Sequence, residues 1–167
     1  MQKNKKLATL ALTIAFALIL SFVESKIPPL VAIPGIKVGL ANIAVIFTLY
    51  KFGVRSAIIV SVLRVLLVSM MFGTGVSLIY SLSGAVLSLS IMIILKKLTP
   101  LREVAVSVVG GIMHNVGQIA AASFMLSTNV VVYYLPFLIL SGTVAGIAVG
   151  VISALLVKKI NLNKIRS

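Results

Sequence analysis

The fold class this sequence predicts is an all-α integral membrane protein of six transmembrane helices, with the N and C termini both cytoplasmic, and three observations predict it. Of 167 residues 60% are hydrophobic and only 10% charged, with a mean hydropathy of +1.24. Soluble domains are roughly half apolar and a quarter charged. The apolar residues fall into six runs near the roughly 20-residue length that crosses a bilayer. When those runs are threaded alternately, twelve of the fifteen Lys and Arg residues land on one side, which the positive-inside rule assigns to the cytoplasm.

The runs form a single transmembrane domain over residues 1–167. The first helix spans 7–23, behind the basic start Lys3, Lys5 and Lys6. It is succeeded by Glu24, Ser25, Lys26 and two prolines rather than by a small-residue cleavage site, so it reads as a retained span and not a signal peptide. The second, 38–52, is short and ends on Lys51; Arg55 opens the way into the third, 56–72. The fourth, 76–95, runs into Lys96, Lys97 and Arg102, and the fifth covers 104–126. The sixth, 130–157, is long enough to tilt or to break near Pro136, and ends in the basic tail Lys158, Lys159, Lys164 and Arg166. Only Lys26 and Lys37 fall on the external side, and Arg64 lies inside a span.

Composition also narrows the chemistry. Without cysteine there is no disulfide, iron–sulfur cluster or thiolate metal site, and with one histidine no metal is expected. The net charge of +13 reads as membrane topology rather than as a nucleic-acid interface.

Small residues recur at helical spacing. Gly142, Gly146 and Gly150 make two GxxxG steps in the sixth helix, and Ala11 and Ala15, with Ala8 close by, make a similar step in the first. Such faces let helix backbones approach closely. Internal packing is the simpler reading, and docking of another membrane protein or a homo-oligomer is the alternative. The external segment 24–37 carries three prolines and reads either as a rigid linker or as a lid over a pocket.

Polar groups within hydrocarbon are costly, so each is a candidate for function. Arg64 lies nine residues beyond Arg55, about 13 Å into the bilayer at 1.5 Å per residue. Its counter-charge is Glu24 folded inward, backbone carbonyls, or an anionic ligand. His114 and Gln118 share one face of the fifth helix, with Asn115 adjoining. They lie about 18 Å and 12 Å from its external end. Lys37 is at the outer rim and Asn42 below it. These groups occupy the external half of the bundle down to its middle, which describes an outward-facing ligand pocket. Interhelical hydrogen bonding is the competing explanation.

At these residues the chain resembles a known family. "PGIKVGLANI" (34–43), "LRVLLVSMMFGT" (63–74), "SLSGAVLSL" (81–89) and "GGIMHNVGQIAAA" (110–122) resemble, in order, the signature segments of the Gx transporter family. Its members are often labelled heptaprenyl diphosphate synthase component I. That family is in turn similar to the substrate-binding S components of energy-coupling factor (ECF) transporters. The resemblance implies an S-component-like bundle in a prokaryotic plasma membrane, with Ala11 and Ala15 as the docking face for a transmembrane coupling subunit linked to cytoplasmic ATPases. In such a pocket Arg64 and Lys37 are expected to hold the anionic groups, and Asn42, His114, Asn115 and Gln118 the polar groups, of a small anionic or polar-headed molecule.

The enzyme label meets an obstacle in composition. Prenyl elongation holds Mg²⁺ on a diphosphate through aspartate-rich motifs, and this chain has no aspartate. No autonomous enzyme activity is therefore expected. A non-catalytic role beside a soluble prenyl diphosphate synthase remains an alternative. So does a role in quinone- or flavin-dependent extracellular electron transfer, which would require a bound quinone or flavin; otherwise no cofactor is expected.

Overall fold

The computed structural model describes residues 2–26 and 39–160. Lys37, most of the proline-rich segment and the last residues of the basic tail lie outside the described residues. Six α-helices succeed one another: α1 (Gln2–Ser25), α2 (Asn42–Phe52), α3 (Val54–Phe72), α4 (Gly75–Leu98), α5 (Glu103–Met125) and α6 (Leu135–Lys159), with one 3₁₀ turn, Val130–Tyr134, before the last. No strand occurs among the described residues. All of the helices except α2 are long and apolar enough to cross a membrane.

Three helices begin four or more residues from where the sequence predicts. Helix α2 begins at Asn42 rather than Val38, because Gly39 takes φ +92°, a conformation that excludes the α-helix and suits glycine. The bonds from Asn42, Ile43 and Ala44 N–H run back three residues, to Gly39, Leu40 and Ala41. Eleven residues extend about 16 Å, half of a 30 Å hydrocarbon core, so α2 is a half-span. The sixth run divides: Pro136 sits in the first turn of α6, where its missing N–H costs nothing, and the residues before it tighten into the 3₁₀ turn. Helix α1 extends back to Gln2, since lysines are good helix formers and nothing in the basic start breaks the helix.

The short connections are set by their residues. Gly53 at φ +88° reverses the chain between α2 and α3. Thr74 and Ser77 form a reciprocal capping box at the start of α4, the Ser77 N–H donating to Thr74 Oγ1 at 3.2 Å and the Thr74 N–H to Ser77 Oγ at 3.0 Å.

The ends of the helices separate by charge. At one end Lys96 donates to the Leu49 carbonyl and lies 4.9 Å over the Tyr50 ring, Lys51 donates to the Val157 carbonyl at 3.0 Å, and Tyr50 donates to the Leu101 carbonyl at 3.1 Å. Lysines there complement the negative C-terminal ends of α2 and α6. At the opposite end the tilted rings of Phe22 and Phe72 meet with centroids 5.3 Å apart, so α1 runs parallel to α3.

Helix α2 is buried all round, from Asn42 through Leu49. Its Ile43, Val45, Ile46 and Leu49 form the main core with residues of α3, α4, α5 and α6, and a helix apolar on every face belongs in such a position. Helix α5 packs most extensively, against α4 and α6. Gly142, Gly146 and Gly150 all face it: an added Cβ would lie 3.0 Å from the Gly111 carbonyl oxygen, 2.7 Å from Val108 Cα and 2.7 Å from Val104 Cα respectively. The glycine face of α6 is thus filled within the chain. Large apolar side chains elsewhere, including Leu12, Met70, Leu140 and Phe124, are exposed, as expected where hydrocarbon is the solvent.

Candidate functional site

Helix α1 presents two unlike faces. Thr13, Ala17, Ser21 and Glu24 recur at helical spacing and are buried, while Ala11 and Ala15 lie on the opposite side and are exposed. The buried face turns toward α2 and α3 and delivers Glu24 to the interior. Its carboxylate accepts a hydrogen bond from the Gly39 N–H, where the chain turns into the half-span α2.

Glu24, Gly39, Arg64, His114, Ser21 and Ser81 line a cavity of about 20 Å³, together with Val65 and Val68 of α3. That is room for about one water. Arg64, 6% exposed, comes from the middle of α3. It is desolvated by burial and sits in the favourable field of Glu24. The His114 imidazole is equally buried, feels the Arg64 charge and interacts with the Gly84 carbonyl. Arg64 therefore has an anionic neighbour from its own chain, the first of the three sources of counter-charge that the sequence leaves open.

Glycines let α4 press against this face of α5. A Cβ on Gly84 would lie 2.8 Å from the His114 carbonyl oxygen and 3.0 Å from both His114 Cε1 and Gln118 Cγ, and one on Gly117 would lie 2.7 Å from the Ser83 carbonyl oxygen. Several polar atoms in this interior have no hydrogen-bond partner among the described residues: Arg64 Nε, His114 Nδ1, Asn115 Oδ1, and Nε2 and Oε1 of Gln118. Buried groups of this kind are uncommon and call for a water or a ligand.

The candidates thus separate. Arg64 and His114 meet in one cavity. Gln118 lies one turn further along α5, wholly buried, but does not line that cavity. Asn42 lines a neighbouring void of about 10 Å³. Asn115 turns to α6, donating to the Leu138 carbonyl at 2.7 Å. Replacing Asn115 with leucine is expected to cost about 1 kcal/mol through loss of that interhelical bond, measured by unfolding in detergent; a neutral effect would show that the bond contributes nothing.

The sequence treats Glu24 only as one option for Arg64, and does not select Gly39, Ser21, Ser81 or Gly84. The Thr13–Ala17–Ser21–Glu24 stripe is the signal that finds the acid. Among the described residues no cluster of His, Asp and Glu suited to a metal ion occurs.

Comparison of the chain with curated proteins and with solved structures gives no match. A family comparison does match, over residues 13–156, which takes in every residue that lines the cavity. The chain belongs to the family described as heptaprenyl diphosphate synthase component I, and its apolar helices make it a multi-pass membrane protein of that family.

Proposed function

We propose that the chain is the ligand-binding membrane subunit of an ECF-type transporter, taking a small molecule from outside the cell membrane. The observation that carries this reading is the mid-bundle cavity in which Arg64, Glu24 and His114 converge while Arg64 Nε and His114 Nδ1 lack partners. A purely structural interior is expected to satisfy such atoms, and an intramembrane cluster of ionisable groups marks a substrate or ion pathway. The half-span α2 adds support, since interrupted helices with their ends near the bilayer middle are a recurring device of transporter binding sites.

Arg64 binds the acceptor groups of the ligand and His114 reads a polar neighbour, with Asn42, Asn115 and Gln118 forming the surrounding polar shell. Because Glu24 already faces Arg64, the site suits a polar or zwitterionic head better than a bare anion. Ala11 and Ala15, exposed on α1, form the docking face for the coupling subunit, which works with cytoplasmic ATPases. No helix here needs to carry ATPase chemistry.

The test is mass spectrometry of small molecules retained through purification, comparing the native chain with Arg64→Gln. A polar metabolite present in the first and depleted at least about tenfold in the second, the loss of roughly 1.4 kcal/mol of binding, supports the reading. Equal retention removes Arg64 from the site. A retained quinone or flavin supports the electron-transfer alternative instead. Capture of the coupling subunit that weakens with Ala11→Leu supports the docking face. Capture of a soluble prenyl diphosphate synthase subunit in its place would favour the accessory role that the family's description suggests.

A further inference from the structure

The largest cavity described, about 200 Å³, is not the polar one. It lies between α3 and α4 and is lined on one side by Ile58, Ser61 and Val62 and on the other by residues including Ala85, Leu89 and Ile93. Helix α3 packs much less extensively on α4 than α4 does on α5, so the two lean apart and leave a groove. Its volume equals about seven waters at some 30 Å³ each, but an apolar cavity of this kind stays dry. A stretch of hydrocarbon chain matches both its volume and its lining.

Charge identifies the rest of the occupant. The stripe Ile58, Ser61 and Val62 continues backwards at helical spacing to Arg55, and Ile93 continues forwards to Lys97. Both cations are exposed. Each lies one turn, about 5 Å, beyond the last groove residue of its helix toward the basic end. Of the neighbouring charges, Lys96 donates to the Leu49 carbonyl, and Glu103 lies 3.8 Å from Arg102. Neither Arg55 nor Lys97 has an ion-pair partner among the described residues.

We propose that the α3–α4 groove is a binding site for an anionic phospholipid of the leaflet at the basic end, with one acyl chain lying in the groove and the phosphate held between Arg55 and Lys97. Apolar wall and paired cations are stacked in the order that chain and headgroup take in a leaflet. This site is separate from the polar cavity and does not depend on the ligand bound there.

Native mass spectrometry of the full chain, with phosphatidylglycerol and phosphatidylcholine of identical chains added, tests it. Phosphatidylglycerol is expected to be retained about 30-fold more strongly, the scale of two basic residues near a charged lipid, and Arg55→Gln/Lys97→Gln to abolish the preference. Ser90→Phe, at an exposed position on the α4 wall of the groove, is expected to lower retention of both lipids and needs no change at the basic end. Glycerol phosphate, which has the headgroup's phosphate and no acyl chain, is expected not to displace either. Equal retention of the two lipids by the native chain overturns the proposal. So does full retention by Ser90→Phe, and displacement by glycerol phosphate would assign the cations to a free phosphate instead.

Discussion

Replacing Arg64 with glutamine is expected to destabilise the bundle by about 3 kcal/mol, the usual scale for breaking a buried charge pair from one side. The guanidinium is buried in the middle of α3 and the Glu24 carboxylate lines the same small cavity, so the substitution takes a cation away from the surroundings of a buried acid. Glu24→Gln leaves the converse, and also weakens the acceptor of the Gly39 N–H. The double variant Glu24→Gln/Arg64→Gln is expected to recover most of the loss, because it removes both buried charges together. Unfolding in detergent of the two single variants and the double measures the coupling. If the single effects simply add, the two charges act independently and Arg64 is held by other groups.

A second large effect is expected at the α5–α6 seam. Gly146→Leu introduces a side chain whose first carbon already lies 2.7 Å from Val108 Cα and 2.9 Å from the Ser107 carbonyl oxygen. Backbone cannot yield as the end of a flexible side chain can, so the helices must separate. The expected cost is at the upper end of overpacking, about 3 kcal/mol, with loss of a monodisperse folded species in detergent as its measure. Gly75→Ala is the control, since nothing lies within 4 Å of its added Cβ, and it is expected to be neutral. Separation of this seam also displaces Asn115 from the Leu138 carbonyl, 2.7 Å away. An unaltered Gly146→Leu protein would mean that α6 has another place to sit.

The two variants act on different links of one chain of dependence. Gly146 lets α6 approach α5, while Gly84 and Gly117 let α4 approach the opposite side. Helix α5 is thereby fixed at the depth where His114 meets Arg64. Close helix approach is therefore what assembles the cavity, and the polar residues occupy a frame that the glycines set.

By itself the sequence determined the membrane class, the order and approximate positions of six helices, and the family likeness. The physical reason is that hydrocarbon demands long apolar runs whose backbone groups are satisfied within each helix, and those runs are visible one residue at a time. Tertiary structure decided what depends on residues distant in sequence. Gly39 reads as an ordinary member of an apolar run, and only its positive φ and its bond to Glu24 show that α2 is a half-span. Glu24 reads as a residue at the end of a helix, and only the packing of α1 against α2 and α3 carries it in beside Arg64. Asn115 and His114 are neighbours in the chain, yet the 100° step of the helix turns one to α6 and the other to the cavity. Periodicity gives a residue its face, but which neighbour that face meets is fixed by contacts between helices, and those are set by glycine-permitted approach.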